Sequence, residues 1–114
     1  MTYEEFSKIE LRVARILEAE KVEGSEKLVK LKISLGFKQE GEISVEETKQ
    51  IVAGIGKVYR SEILIGKQIV VVNNLEPRSF MGLESQGMLL AASGADGPAL
   101  LIPDKEVLIG APIK

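Results

Sequence analysis

Between Leu28 and Leu35 the chain alternates strictly, with Val29, Leu31, Ile33 and Leu35 on one side and Lys30, Lys32 and Ser34 on the other. A two-residue period is the mark of a strand with one face in a core and the other in water. This strand therefore carries a basic outer face. A second run, Gln68 to Val72, is rich in β-branched residues and suits a strand buried on both sides, which is expected at the centre of a sheet. Thr48 to Ala53 and Gly87 to Ala92 read as further strands, separated by turn signals at Gly54, Gly56, Gly66-Lys67, Gly82 and the loop Asn73 to Arg78. Gly36 to Glu47, with two glycines and several charges, reads as an exposed, mobile connection. Several short strands with little helix predict an all-β small barrel or sandwich.

Helix signals are few. Thr2-Tyr3-Glu4-Glu5 fits a capping box, which predicts a short N-terminal helix. From Ile9 to Val22 the pattern is divided. Ile9, Val13, Ile16 and Leu17 fall on one helical face, while Ile9, Leu11 and Val13 alternate as in a strand, and composition favours helix.

At 114 residues, 45% hydrophobic and 28% charged, the chain has the size and balance of one folded domain spanning 1–114. The absence of Cys and His removes disulfides, thiolate metal sites and the commonest general base, so no metal, cofactor or catalytic residue is expected. An acidic N-terminus predicts no secretory signal, and the apolar runs fall far short of the ~20 residues of a membrane helix. A cytoplasmic protein is expected. Gly54-Ile55-Gly56 is read as a turn, and Ser85 lies outside any nucleophile elbow.

The formal charge of -2 argues against a nucleic-acid partner, yet the basic residues are unevenly spread: seven of fifteen lie between Lys8 and Lys32. For a single lysine the better reading is a solvated surface, but Lys30 and Lys32 must share one strand face and form a small positive platform for phosphates. Only five aromatic residues, Tyr3, Phe6, Phe37, Tyr59 and Phe80, are available for base stacking, which favours recognition by backbone and shape.

One stretch is specific: Asn74-Leu75-Glu76-Pro77-Arg78, then Gly82-Leu83-Glu84-Ser85-Gln86-Gly87-Met88-Leu89-Leu90-Ala91-Ala92. It resembles the signature of the tRNA-binding domain family, found at the C-terminal end of methionyl-tRNA synthetases, as a free-standing β subunit of that enzyme, in structure-specific tRNA-binding proteins and in endothelial monocyte-activating polypeptide. Phe6 to Ala14, Ser25 to Leu28 and Gln50 to Ile55 agree in order. The resemblance implies a five-stranded OB-fold barrel over 1–92, with Ile9 to Val22 a curved strand, and a C-terminal extension over 93–114 used in dimerisation. It implies non-catalytic tRNA binding with little sequence preference, in association with a methionyl-tRNA synthetase chain.

Carried onto this sequence, the binding residues are Arg12, Lys30, Lys32, Lys49, Asn74, Arg78, Ser85 and Met88, with Met88 equally assignable to the core. Many relatives carry a second basic residue after the Pro-basic pair; here that position is Ser79, which implies weaker binding. A homodimer is implied, with Leu100, Leu101, Ile102, Val107, Leu108 and Ile109 at its interface; the other reading is that the tail caps its own barrel. A protein-interaction adaptor or chaperone-like module of the same fold is the alternative function, and such relatives generally lack the Ser85-Gln86-Gly87-Met88 stretch.

Overall fold

The computed structural model describes residues 1–114. The capping box forms as the sequence predicts. Thr2 Oγ1 accepts from the Glu5 N–H at 3.1 Å, and Glu5 Oε1 accepts from the Thr2 N–H at 3.0 Å, starting α1 (Tyr3–Phe6). The Thr2 backbone and then side-chain hydrogen bonds hold the Glu5 carboxyl below its ordinary range. This interaction therefore contributes above the usual carboxylate pKa and fades as pH falls through the lowered value.

The next segment is the curved strand that the family resemblance implies, not the helix that its composition favours. β1 (Leu11–Lys21) pairs with three partners, and that ladder outweighs the helix-leaning composition. A register shift between Ile16 and Glu18 curls it. β2 (Val29–Glu40) buries Val29, Leu31, Ile33 and Leu35, as the alternation requires. It then runs on through the stretch read as a mobile connection. β3 (Ile43–Ala53) folds back on it with Glu40 opposite Ile43, so that residues 36 to 47 are mostly a two-stranded arm. Charge and glycine signal loop there, but Gly41 (φ 67) supplies the first central residue of a two-residue hairpin turn. The arm is solvent-exposed, with Phe37 and Ile43 at the surface.

α2 (Ser61–Leu64) drops Leu64 into the core and precedes β4 (Gln68–Val72). β5 (Arg78–Phe80) and β6 (Leu83–Ser85) form a hairpin, β7 (Met88–Leu89) pairs with β4, and β8 (Ala91–Gly94) with β9 (Gly97–Leu100) makes a second hairpin. β10 (Pro112–Ile113) returns to β1. The main sheet runs β3-β2-β1-β4-β7, so β1 and not β4 is central; Gln68 and Val70 are only half-buried. The sheet curls into an OB-like half-barrel around Ile16, Leu31, Ile33, Ile51, Leu64, Ile69 and Val71. No helix is long and apolar enough to cross a membrane.

Near the start of β1 the C-terminal segment takes the edge that β2 leaves. Gly110 N–H donates to Val13 O at 2.7 Å and Val13 N–H to Ala111 O at 2.9 Å. Leu100 packs against the core, and Val107 and Ile109 are half-buried, while Leu101, Ile102 and Leu108 remain exposed, Leu108 at 85%.

Candidate nucleic-acid interface

Strand register brings the basic residues of β2 together with residues of both neighbours. Glu18 of β1 and Gln50 of β3 flank Lys32, and Glu20 and Val52 flank Lys30. Directly opposed residues share a face, so these rows lie opposite the buried Leu31 and Ile33 side chains, with Val52 itself covered. All of these row residues but the buried Val52 line an open groove of about 580 Å³, completed by Ala19, Leu31, Thr48, Lys49, Gln86 and Ile65. Lys30 Nζ stands 2.6 Å from Glu20 Oε1 and Lys32 Nζ 3.7 Å from Glu18 Oε2. The platform is thus a chequerboard of charge, not uniformly positive. Ile9 to Val22 hides this when it is read as a helix; read as a strand, Glu18-Ala19-Glu20 puts both carboxylates on one face.

Several of the other residues implied by the family resemblance are engaged within the fold. Lys49 Nζ donates to Asn73 O at 2.9 Å. Asn74 Oδ1 accepts from the Glu10 N–H at 2.9 Å and its amide donates to Lys8 O at 2.7 Å, tying the loop after β4 to the chain before β1. Arg12 donates to Gly110 O at 3.2 Å and Leu35 O at 3.0 Å and pairs with Glu47 at 3.4 Å. Its guanidinium fastens the C-terminal segment to β2. Arg78 lies at the surface over the Phe80 ring, 5.1 Å from its centre, and Met88 is 46% exposed, which takes it out of the core.

Ser85 is 3% exposed, and its hydroxyl has two internal partners: it accepts from the Val52 N–H and donates to Gly87 O, each at 3.0 Å. Its neighbour continues the seam. Gln86 Oε1 accepts from the Gln50 N–H at 2.9 Å, Gln86 N–H donates to Gln50 O at 2.8 Å, and Gln50 Nε2 donates to Glu84 O at 2.8 Å. β3 and the β6–β7 segment therefore close the half-barrel partly through side chains. Close packing fits glycine at 87, where a Cβ would stand 3.1 Å from Val72 O. This explains why Ser85-Gln86-Gly87 forms a distinctive stretch; the sequence pattern alone did not single out Gln50 and Gln86.

The result is an OB-like β module with a charged, open groove across three strands. Residues 11–112 match the family described as "Putative tRNA binding domain". The methionine–tRNA ligase of Caldanaerobacter subterraneus subsp. tengcongensis is 56% identical over 99% of this chain, and that of Thermotoga maritima 51% over 99%. The chain spans 16% of the length of each. Among solved structures, the MetRS-related protein from Pyrococcus horikoshii is 36% identical with a TM-score of 0.84, covering 100% of this chain and 97% of that one. The CsaA chaperone protein from Picrophilus torridus is 34% identical with a TM-score of 0.82, covering 100% and 99%. The chain belongs to the tRNA-binding domain family.

Proposed function

We propose that this chain binds tRNA without catalysing a reaction, as the tRNA-binding domain or β subunit of a methionyl-tRNA synthetase, acting in the cytoplasm. The observation that carries the reading is the groove holding Lys30 and Lys32 on the outer face of a sheet that belongs to this family. Such a module raises the local concentration of tRNA beside a synthetase active site, an effect of linkage rather than of chemistry. The scarcity of aromatic side chains favours recognition of phosphates and shape over bases. Arg78 and Met88, both at the surface, extend the candidate contact region, whereas Arg12, Lys49, Asn74 and Ser85 support its framework.

Changing Lys30 and Lys32 together to Ala removes both cations and leaves Glu18 and Glu20 without their partners. Affinity for unfractionated tRNA at low salt is expected to fall about tenfold or more. Fluorescence anisotropy on a variant whose melting profile is unchanged checks this; equal affinity would place the surface elsewhere.

We further propose a barrel over 1–92, an extension over 93–114 and a homodimer through that extension. The exposed Leu101, Ile102 and Leu108 support the dimer, while Leu100, Val107 and Ile109 already pack partly within the chain. Light scattering at micromolar concentration should return twice the chain mass; the monomer mass would sink the dimer. The full-length similarity to CsaA favours a second reading, a protein-interaction or chaperone-like module. Binding of unfolded polypeptide in the absence of tRNA binding would select it.

A further inference from the structure

We propose that Glu18 and Glu20 are affinity-setting residues, carboxylates built into β1 that compete with incoming phosphates for Lys32 and Lys30. The inference rests on the groove being the nucleic-acid surface and concerns what limits binding there. Register is its first support. The β1–β2 ladder sets Glu18 directly against Lys32 and Glu20 directly against Lys30, so each ammonium has a carboxylate held beside it by backbone pairing. The distances, 3.7 Å and 2.6 Å, are those of formed ion pairs.

The remaining lining gives the second support. Lys49 directs its ammonium to Asn73 O, and the neutral side chains of Gln86 and Gln50 are engaged with the Gln50 N–H and with Glu84 O. Two cations therefore face two anions at the centre of the groove, and the local charge from these four residues is zero. A polyphosphate approaching Lys30 and Lys32 gains two attractions but meets two carboxylates that stay within a few ångströms. Glu18, Glu20 and Lys32 are exposed and Lys30 is half-buried, and pairs this open to water are weak. A phosphate can consequently displace the carboxylates, so they tune binding and do not block it. A carboxylate oxygen and a phosphate oxygen offer an ammonium the same kind of anionic acceptor.

The test is the double substitution Glu18→Gln/Glu20→Gln, which keeps size and hydrogen-bonding capacity while removing both charges. Titration of unfractionated tRNA at low salt is expected to show about tenfold tighter binding, roughly threefold per carboxylate, with the gain shrinking as salt rises. Duplex DNA of similar length should gain by a similar factor, since the effect acts on phosphate charge. Glu40→Gln/Glu42→Gln, at the tip of the arm, changes net charge equally and is expected to gain less than about twofold.

Unchanged or weaker binding by Glu18→Gln/Glu20→Gln, with the wild type binding normally, overturns the proposal. An equal gain by the arm control also overturns it, because net charge would then account for the change. Binding by neither wild type nor either variant overturns the tRNA reading itself and the inference with it. Melting profiles of all three proteins identify a folding defect, and the single variants Glu18→Gln and Glu20→Gln, each expected to gain about threefold, then supply the measurement.

Discussion

Replacing Gly110 with Ala is expected to lower stability by about 3 kcal/mol or more, among the larger effects of any single methyl group in this fold. Two costs combine. Gly110 has φ 92, a conformation that a Cβ disfavours, and that Cβ would stand 2.3 Å from Leu35 O. The obstructing atom is backbone, held in place because Leu35 O accepts from Arg12, so it cannot yield as a flexible side chain would. The strain falls where Gly110 N–H donates to Val13 O and Arg12 donates to Gly110 O. Relief would loosen the C-terminal segment from the central strand. Gly66→Ala separates the two costs: its φ is 91, but no heavy atom lies within 4 Å of the added carbon. It is expected to lose only about 1 kcal/mol. Denaturant titration of both variants checks the difference, and equal losses would show that the close approach is not the cause.

Leu31→Ala is expected to cost about 3 to 4 kcal/mol. Leu31 is fully buried and sits opposite Ala19 on β1 and Ile51 on β3, at the junction of the three strands that carry the groove. Removing its branched end leaves a void among ladders that cannot close without moving the register, so the cavity persists. A midpoint shift with an unchanged denaturant slope would mark a loss of native stability. Ile43→Ala, on the exposed arm, should stay within about 0.5 kcal/mol. A comparable loss at both positions would contradict the placement of the core.

β2 was legible because its alternation is local: the residues that define its two faces are consecutive. The capping box was legible for the same reason. β1 was legible only through the family resemblance, since its conformation depends on β2, β4 and β10, all distant in sequence, and its bulge breaks the period-two pattern. The arm has no such signature, because charge and glycine signal loop whenever a strand lacks a buried face. Lys30 and Lys32 could be placed on a common face from spacing, but their carboxylate partners could not, because pairing across strands is a matter of register. Family resemblance drew attention to Ser85 and Asn74; the structure shows each making internal hydrogen bonds. Long-range side-chain bonds of this kind leave no periodic trace.

The central claim is that the groove on the β1–β2–β3 face receives the phosphate backbone of tRNA. Its most direct measurement is the affinity of unfractionated tRNA for the purified protein at two salt concentrations, with duplex DNA of similar length as competitor. The account predicts selective binding of tRNA that weakens as salt rises, by about one log unit of affinity per log unit of salt for each phosphate contacted. Absence of binding even at low salt would contradict it and leave a family member whose groove serves a protein partner.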